Sequence, residues 1–166
     1  MFLNMESDSG ILSSITKAMT ALLCTLLLVG GCEGSSDGSE RQMMQTIDSF
    51  AVNYFNWQYH RALSFCTPES KPWLSFAASQ VTQEDIDLLH QEAPASYEVQ
   101  SVENINDTTV LANITVYDFL QPDSIGKQPH HVSKADFCLR MVLPTSEKRW
   151  KVDVTQLPRP KKRQAN

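Results

Sequence analysis

Three kinds of apolar pattern follow one another along this chain. From Ala18 to Val29 the apolar residues run nearly unbroken through Leu26-Leu27-Leu28 and stop at Gly30-Gly31-Cys32. From Glu40 to Phe65 the spacing is helical. Met43, Met44, Ile47, Phe50, Ala51, Tyr54, Phe55 and Ala62 share one side, while Gln42, Gln45, Ser49, Asn53, Asn56 and His60 take the other. Such a stripe predicts an amphipathic helix laid on a core. Trp57 and Tyr59 flank the stripe, and Gln58 falls near its middle, where a side-chain amide needs a buried partner or a pocket to face.

Thr67-Pro68-Glu69-Ser70 reads as a stop and a restart, because Thr can cap, Pro suits a first helical turn, and Glu69 favours the helix dipole. A shorter helix through Trp73, Leu74, Phe76 and Ala77 is predicted next. A third starts at Thr82-Gln83-Glu84-Asp85, carries Ile86, Leu88 and Leu89, and ends before Pro94. After Pro94 the period becomes two. Tyr97 and Val99 open a strand, residues 104–107 supply a turn, and Val110, Ala112, Ile114 and Val116 alternate with Leu111, Asn113, Thr115 and Tyr117. A loop over 121–129 precedes a strand over 132–143, and Trp150, Val152 and Val154 mark a last strand beyond a turn at 145–148. Helices first and a strand meander second predict an α+β domain, about three N-terminal helices packed on a mostly antiparallel sheet.

The N-terminal run is too short to cross a bilayer, which takes about 20 residues. It follows a single basic residue, Lys17, and Val29-Gly30-Gly31-Cys32 closes it with small residues before a cysteine. This resembles a bacterial lipoprotein signal. The resemblance implies cleavage before Cys32, lipidation of its thiol, and anchoring to a membrane of the bacterial cell envelope, facing the periplasm or the outside; two or more acyl chains are needed for stable anchoring. The organisation expected is a signal peptide over 1–31, a flexible Gly/Ser linker over 32–39, one domain over 40–157 and a basic disordered tail over 158–166. About 135 residues after the signal suit one domain.

The chain of 166 residues carries 19 Asp and Glu against 14 Lys and Arg, and Arg159, Lys161, Lys162 and Arg163 crowd its last residues. The domain is therefore more acidic than the total, which argues against nucleic acid as a partner. Cys66 and Cys138 remain beside Cys32 in an oxidising compartment; they form a disulfide or stand as two small apolar residues. Adjacent His130 and His131 would face opposite sides of a strand, and His60 and His90 lack spaced partners, so no metal site or cofactor is expected. No phosphate-cradling loop or nucleophile elbow appears.

The long first helix, the Ala62-Leu63 to Thr67-Pro68-Glu69-Ser70 junction, the Trp73-bearing second helix and the closing Arg149-Trp150-Lys151-Val152-Asp153 strand resemble the NTF2-like, cystatin-like superfamily, and within it small bacterial NTF2-like lipoproteins. That resemblance implies a curved sheet wrapped on helices as a cone with a pocket at its open end, for which Tyr54, Gln58, Trp73 and Tyr117 are the candidate lining residues. It implies a binding domain for a small apolar ligand or an envelope partner protein. The scaffold also hosts isomerases and dehydratases, for which Asp118, Tyr54, Tyr59, His90 and His131 are the acid/base candidates, and structural accessories of envelope complexes; homodimers are common in it. Asp107-Thr108-Thr109 and Asp123-Ser124-Ile125 match the triplet that some bacteria O-glycosylate on envelope proteins, with Thr108 and Ser124 as acceptors.

Overall fold

The computed structural model describes residues 35–123 and 127–161. Cys32 and the apolar run before it, Ser124, and residues 162–166 lie outside the described residues. Helix α1 spans Ser35–Phe55, α2 Tyr59–Ala62, α3 Lys71–Ser79 and α4 Gln83–Leu89; short 3₁₀ turns at Leu63–Phe65 and Pro68–Ser70 join α2 to α3. Strands β1 (Ser96–Asn106), β2 (Thr109–Gln121), β3 (His130–Val142) and β4 (Lys151–Val152) form one antiparallel sheet in chain order. The α+β order read from the pattern is the order observed.

The stripe on α1 packs as its spacing requires. Met43, Ile47, Phe50, Ala51, Tyr54 and Phe55 are buried, whereas Met44, counted in the stripe, is exposed. They meet the inner face of the sheet, made by Val110, Ala112, Ile114 and Val116 of β2 with Phe137, Leu139 and Met141 of β3. Polar residues of α1 hold the sheet's last strand. Trp150 donates its backbone N–H to Gln42 Oε1 (2.7 Å) and its indole N–H to Ser39 Oγ (3.0 Å), and Thr46 Oγ1 donates to the Trp150 carbonyl (3.3 Å). Residues 35–39, expected to be linker, are thus the first turns of α1.

The helix expected to run on to Phe65 breaks after Phe55. Trp57 has φ 58°, its N–H donates to the Tyr54 carbonyl (3.1 Å) and the Gln58 N–H to that of Asn53 (2.8 Å). These are the two bonds of a Schellman C-terminus, built here on tryptophan in place of the usual glycine. The left-handed backbone costs such a residue about 1–2 kcal/mol. It is offset by burial of the indole and by its N–H bond to the Leu120 carbonyl (3.1 Å).

The Thr67–Ser70 turn also does more than cap. Ser70, fully buried, accepts the Val154 N–H on its hydroxyl (2.9 Å), and the Thr67 N–H donates to the Val152 carbonyl (2.9 Å). The turn therefore ties the helical layer to the chain after β4. At the other end, α4 begins with the expected cap: Thr82 Oγ1 accepts the Asp85 N–H (3.2 Å) while Asp85 accepts the Thr82 N–H (2.8 Å).

β1 runs on to Asn106, so the turn is Asp107-Thr108 rather than 104–107, and two register shifts interrupt its pairing with β2. Bulges of this kind bend and twist a sheet. In β2, Asp118 has φ 50°. Strict alternation from Val116 would turn Phe119 outward; beyond Asp118 both Phe119 and Leu120 are buried. β4 is only two residues long, shorter than the strand expected over Trp150, Val152 and Val154.

Candidate functional site

The break at Trp57 and the kink at Asp118 bring aromatic side chains from four elements to one place. Phe55 of α1 lies 4.7 Å, ring centre to ring centre, from Phe137 of β3 and 5.9 Å from Phe119 of β2. Tyr54 lies 5.4 Å from Tyr59 of α2. These rings floor a cleft of about 560 Å³. Phe76, Ala77 and Gln80 of α3 form one wall, and Leu157-Pro158-Arg159-Pro160 forms another. That size lies in the range of small-molecule sites. A smaller hollow of about 160 Å³ adjoins it, sharing Trp57, Ala77 and Gln80 and adding Glu84, Asp85 and Lys127.

Residues 158–161, expected to be disordered, are part of the domain. The Lys161 backbone N–H donates to the Asp136 carbonyl of β3 (2.7 Å), and its ammonium reaches Asn113 Oδ1 on β2 (2.5 Å). Two prolines restrict the span between, so the segment is a stiff strap along the cleft.

The floor is uncharged. Burial raises the Tyr54 and Tyr59 hydroxyls well above the usual phenol range, with the two phenols near each other adding to the shift at Tyr54. Neither hydroxyl has a hydrogen-bond partner among the described residues. No sealed side-chain oxygen or nitrogen is left unpartnered among the described residues, so both hydroxyls keep some exposure, and both tyrosines line the cleft. Among the described residues, charged groups line only the exposed rim, as Asp123 and Arg159.

Of the four candidate lining residues, the structure brings Tyr54 to the cleft and leaves the other three elsewhere. Gln58 is exposed, its Oε1 accepting from Arg61 (2.9 Å), because the helix that would have buried it has already ended. Trp73 is 40% exposed on α3 and does not line the cleft. Tyr117 sits on the outer face of the sheet, donating to Glu98 (3.0 Å) with the Lys134 ammonium over its ring.

Cys66 and Cys138 are both free thiols, so the disulfide is not formed: Cys66 is buried where its backbone pairs beside Val152 of β4, whereas Cys138 projects from the outer face of β3. Burial pushes the Cys66 thiol up to about 12, with Lys151 lowering it and Asp153 raising it. Asp118 and His131 meet each other at 3.8 Å on the surface, and His90 is exposed at the end of α4. Thr108 is exposed in the β1–β2 turn, where its N–H donates to Asn106 Oδ1 (3.0 Å). Among the described residues no group of His, Cys, Asp and Glu is placed to hold a metal ion, and no helix is long and apolar enough to cross a membrane.

Trp57, Phe76, Phe119, Phe137 and the strap are cleft residues that the pattern did not single out as such. Pro158 and Pro160 around Arg159 were the available signal, since paired prolines stiffen a tail.

No protein-family model and no curated protein matches this chain. Among solved structures it is similar to an "Ntf2 like protein involved in plasmid conjugation", at 17% sequence identity and a TM-score of 0.29. The match covers 71% of this chain and 48% of that protein, so the chain spans about half the length of the structure it matches.

Proposed function

We propose that this chain is a lipid-anchored protein of the bacterial cell envelope whose NTF2-like domain binds a small apolar ligand in the aromatic cleft, without chemistry. The observation that carries the reading is the cleft floor of Tyr54, Phe55, Tyr59, Phe119 and Phe137, open and uncharged. Helices on the inner face of an antiparallel meander, with a hollow between them, are in keeping with an NTF2-like cone. Val29-Gly30-Gly31-Cys32 supports the anchor.

An isomerase or dehydratase of this architecture would want a histidine or carboxylate base beside the apolar floor. Asp118 and His131 pair on the surface instead, and Asp123 stands at the rim.

Native mass spectrometry of the full-length protein, extracted from its own membranes, tests the binding reading. The expected result is a protein carrying a retained small molecule that is released on activation; a bare protein throughout would count against it. Cys32→Ser should move the protein from the membrane fraction to the soluble one, and unchanged membrane fractionation would remove the anchor.

A further inference from the structure

An apolar ligand with no polar atom would leave the cleft floor incomplete. Tyr54, 9% exposed, is ringed by Phe50, Phe55 and Tyr59, Tyr59 itself is 5% exposed, and neither hydroxyl has a partner among the described residues. A hydroxyl that has given up much of its water and gained no partner loses free energy, and a ligand oxygen placed against it restores the bond. We infer that the ligand is an uncharged apolar molecule carrying a hydroxyl or carbonyl oxygen that seats against the Tyr54 and Tyr59 hydroxyls; this rests on the ligand-binding reading of the cleft.

Neutrality follows from what surrounds the floor. A carboxylate there would be stripped of water among rings, and among the described residues no cation lines that part of the cleft to compensate. Arg159 lies on the exposed strap at the rim, where Asp123 stands with it. The same desolvation that keeps both phenols protonated disfavours an anionic guest beside them. A neutral oxygen can either accept from a phenol or donate to one, so alcohols and ketones both fit.

The test uses the full-length protein in lipid nanodiscs, with empty nanodiscs subtracting partition into lipid, and three probes of one skeleton followed by ligand-observed NMR. These are 2-naphthylmethanol, the nearly isosteric 2-ethylnaphthalene, and 2-naphthoate. The alcohol should bind about five-fold more tightly than the hydrocarbon, the worth of one net hydrogen bond, and the carboxylate more weakly than either. Tyr54→Phe should abolish the alcohol's preference over the hydrocarbon, read as the ratio of the two affinities in the variant. Tyr59→Phe is the second variant should the first disturb folding.

Equal binding of alcohol and hydrocarbon, strongest binding by the naphthoate, or an alcohol preference that survives both variants would overturn the inference while leaving an apolar cleft in place. No binding by any of the three would remove the cleft reading itself.

Discussion

Single side chains that a hydropathy pattern assigns to the surface hold this domain together. Ser70 is the clearest, because its hydroxyl receives the Val154 N–H inside the core. Ser70→Ala leaves that N–H without its partner, and we expect a loss of about 1–3 kcal/mol in urea unfolding; a loss below about 0.5 kcal/mol, the scatter of neutral surface changes, would mean that water replaces the hydroxyl. The two thiols should part company in the same way. Cys138, on the outer face, should react with iodoacetamide in the folded protein, whereas Cys66 should label only on unfolding, since burial suppresses its thiolate. Peptide mapping after a short pulse of reagent at pH 8 reads both sites, and early labelling of Cys66 would contradict its packing.

At the scale of elements, periodicity is legible where it is unbroken and misleading where one residue resets it. The stripe on α1 and the alternation of Val110, Ala112, Ile114 and Val116 gave the helix, the strand and most of the core, because burial on one face imposes those periods. The cleft was less legible. It depends on left-handed backbone at Trp57 and Asp118, and neither position carries the glycine by which such conformations are ordinarily read. Tyr54 could be placed because it lies before the break; Gln58 could not, because it lies after. The interrupted phase of β2 has its own test. Asp118→Val puts a β-branched residue where φ is positive, adding about 1–2 kcal/mol of backbone strain. The expected outcome is a lowered unfolding midpoint together with a changed near-ultraviolet signal from the Phe119–Phe137 contact. An unchanged midpoint would show that β2 regains regular alternation without penalty.

On the scale of the whole molecule, buried acids set how stability depends on pH. The Cys66 thiol is raised from 9.0 to about 12, so between those values the folded protein keeps a proton that the unfolded chain releases. Stability therefore falls as pH rises through that window, and Tyr54 and Tyr59 act in the same direction from above pH 10. Urea midpoints measured from pH 8 to 11 should decline; for Cys66→Ala, which removes one of the groups that act in this direction, the decline should begin later. A profile identical to that of the parent protein would show that the thiol plays no part.

The strap joins these scales. Deleting the residues after Gln156 removes one wall of the cleft and the Lys161 bonds to β2 and β3. A retained small molecule should then be lost from the native mass spectrum while far-ultraviolet circular dichroism persists. Because residues 157–161 follow every other wall in the chain, they are also the last wall to leave the ribosome. The cavity cannot be complete on a nascent chain, so a guest can be enclosed only after the polypeptide has emerged beyond Lys161.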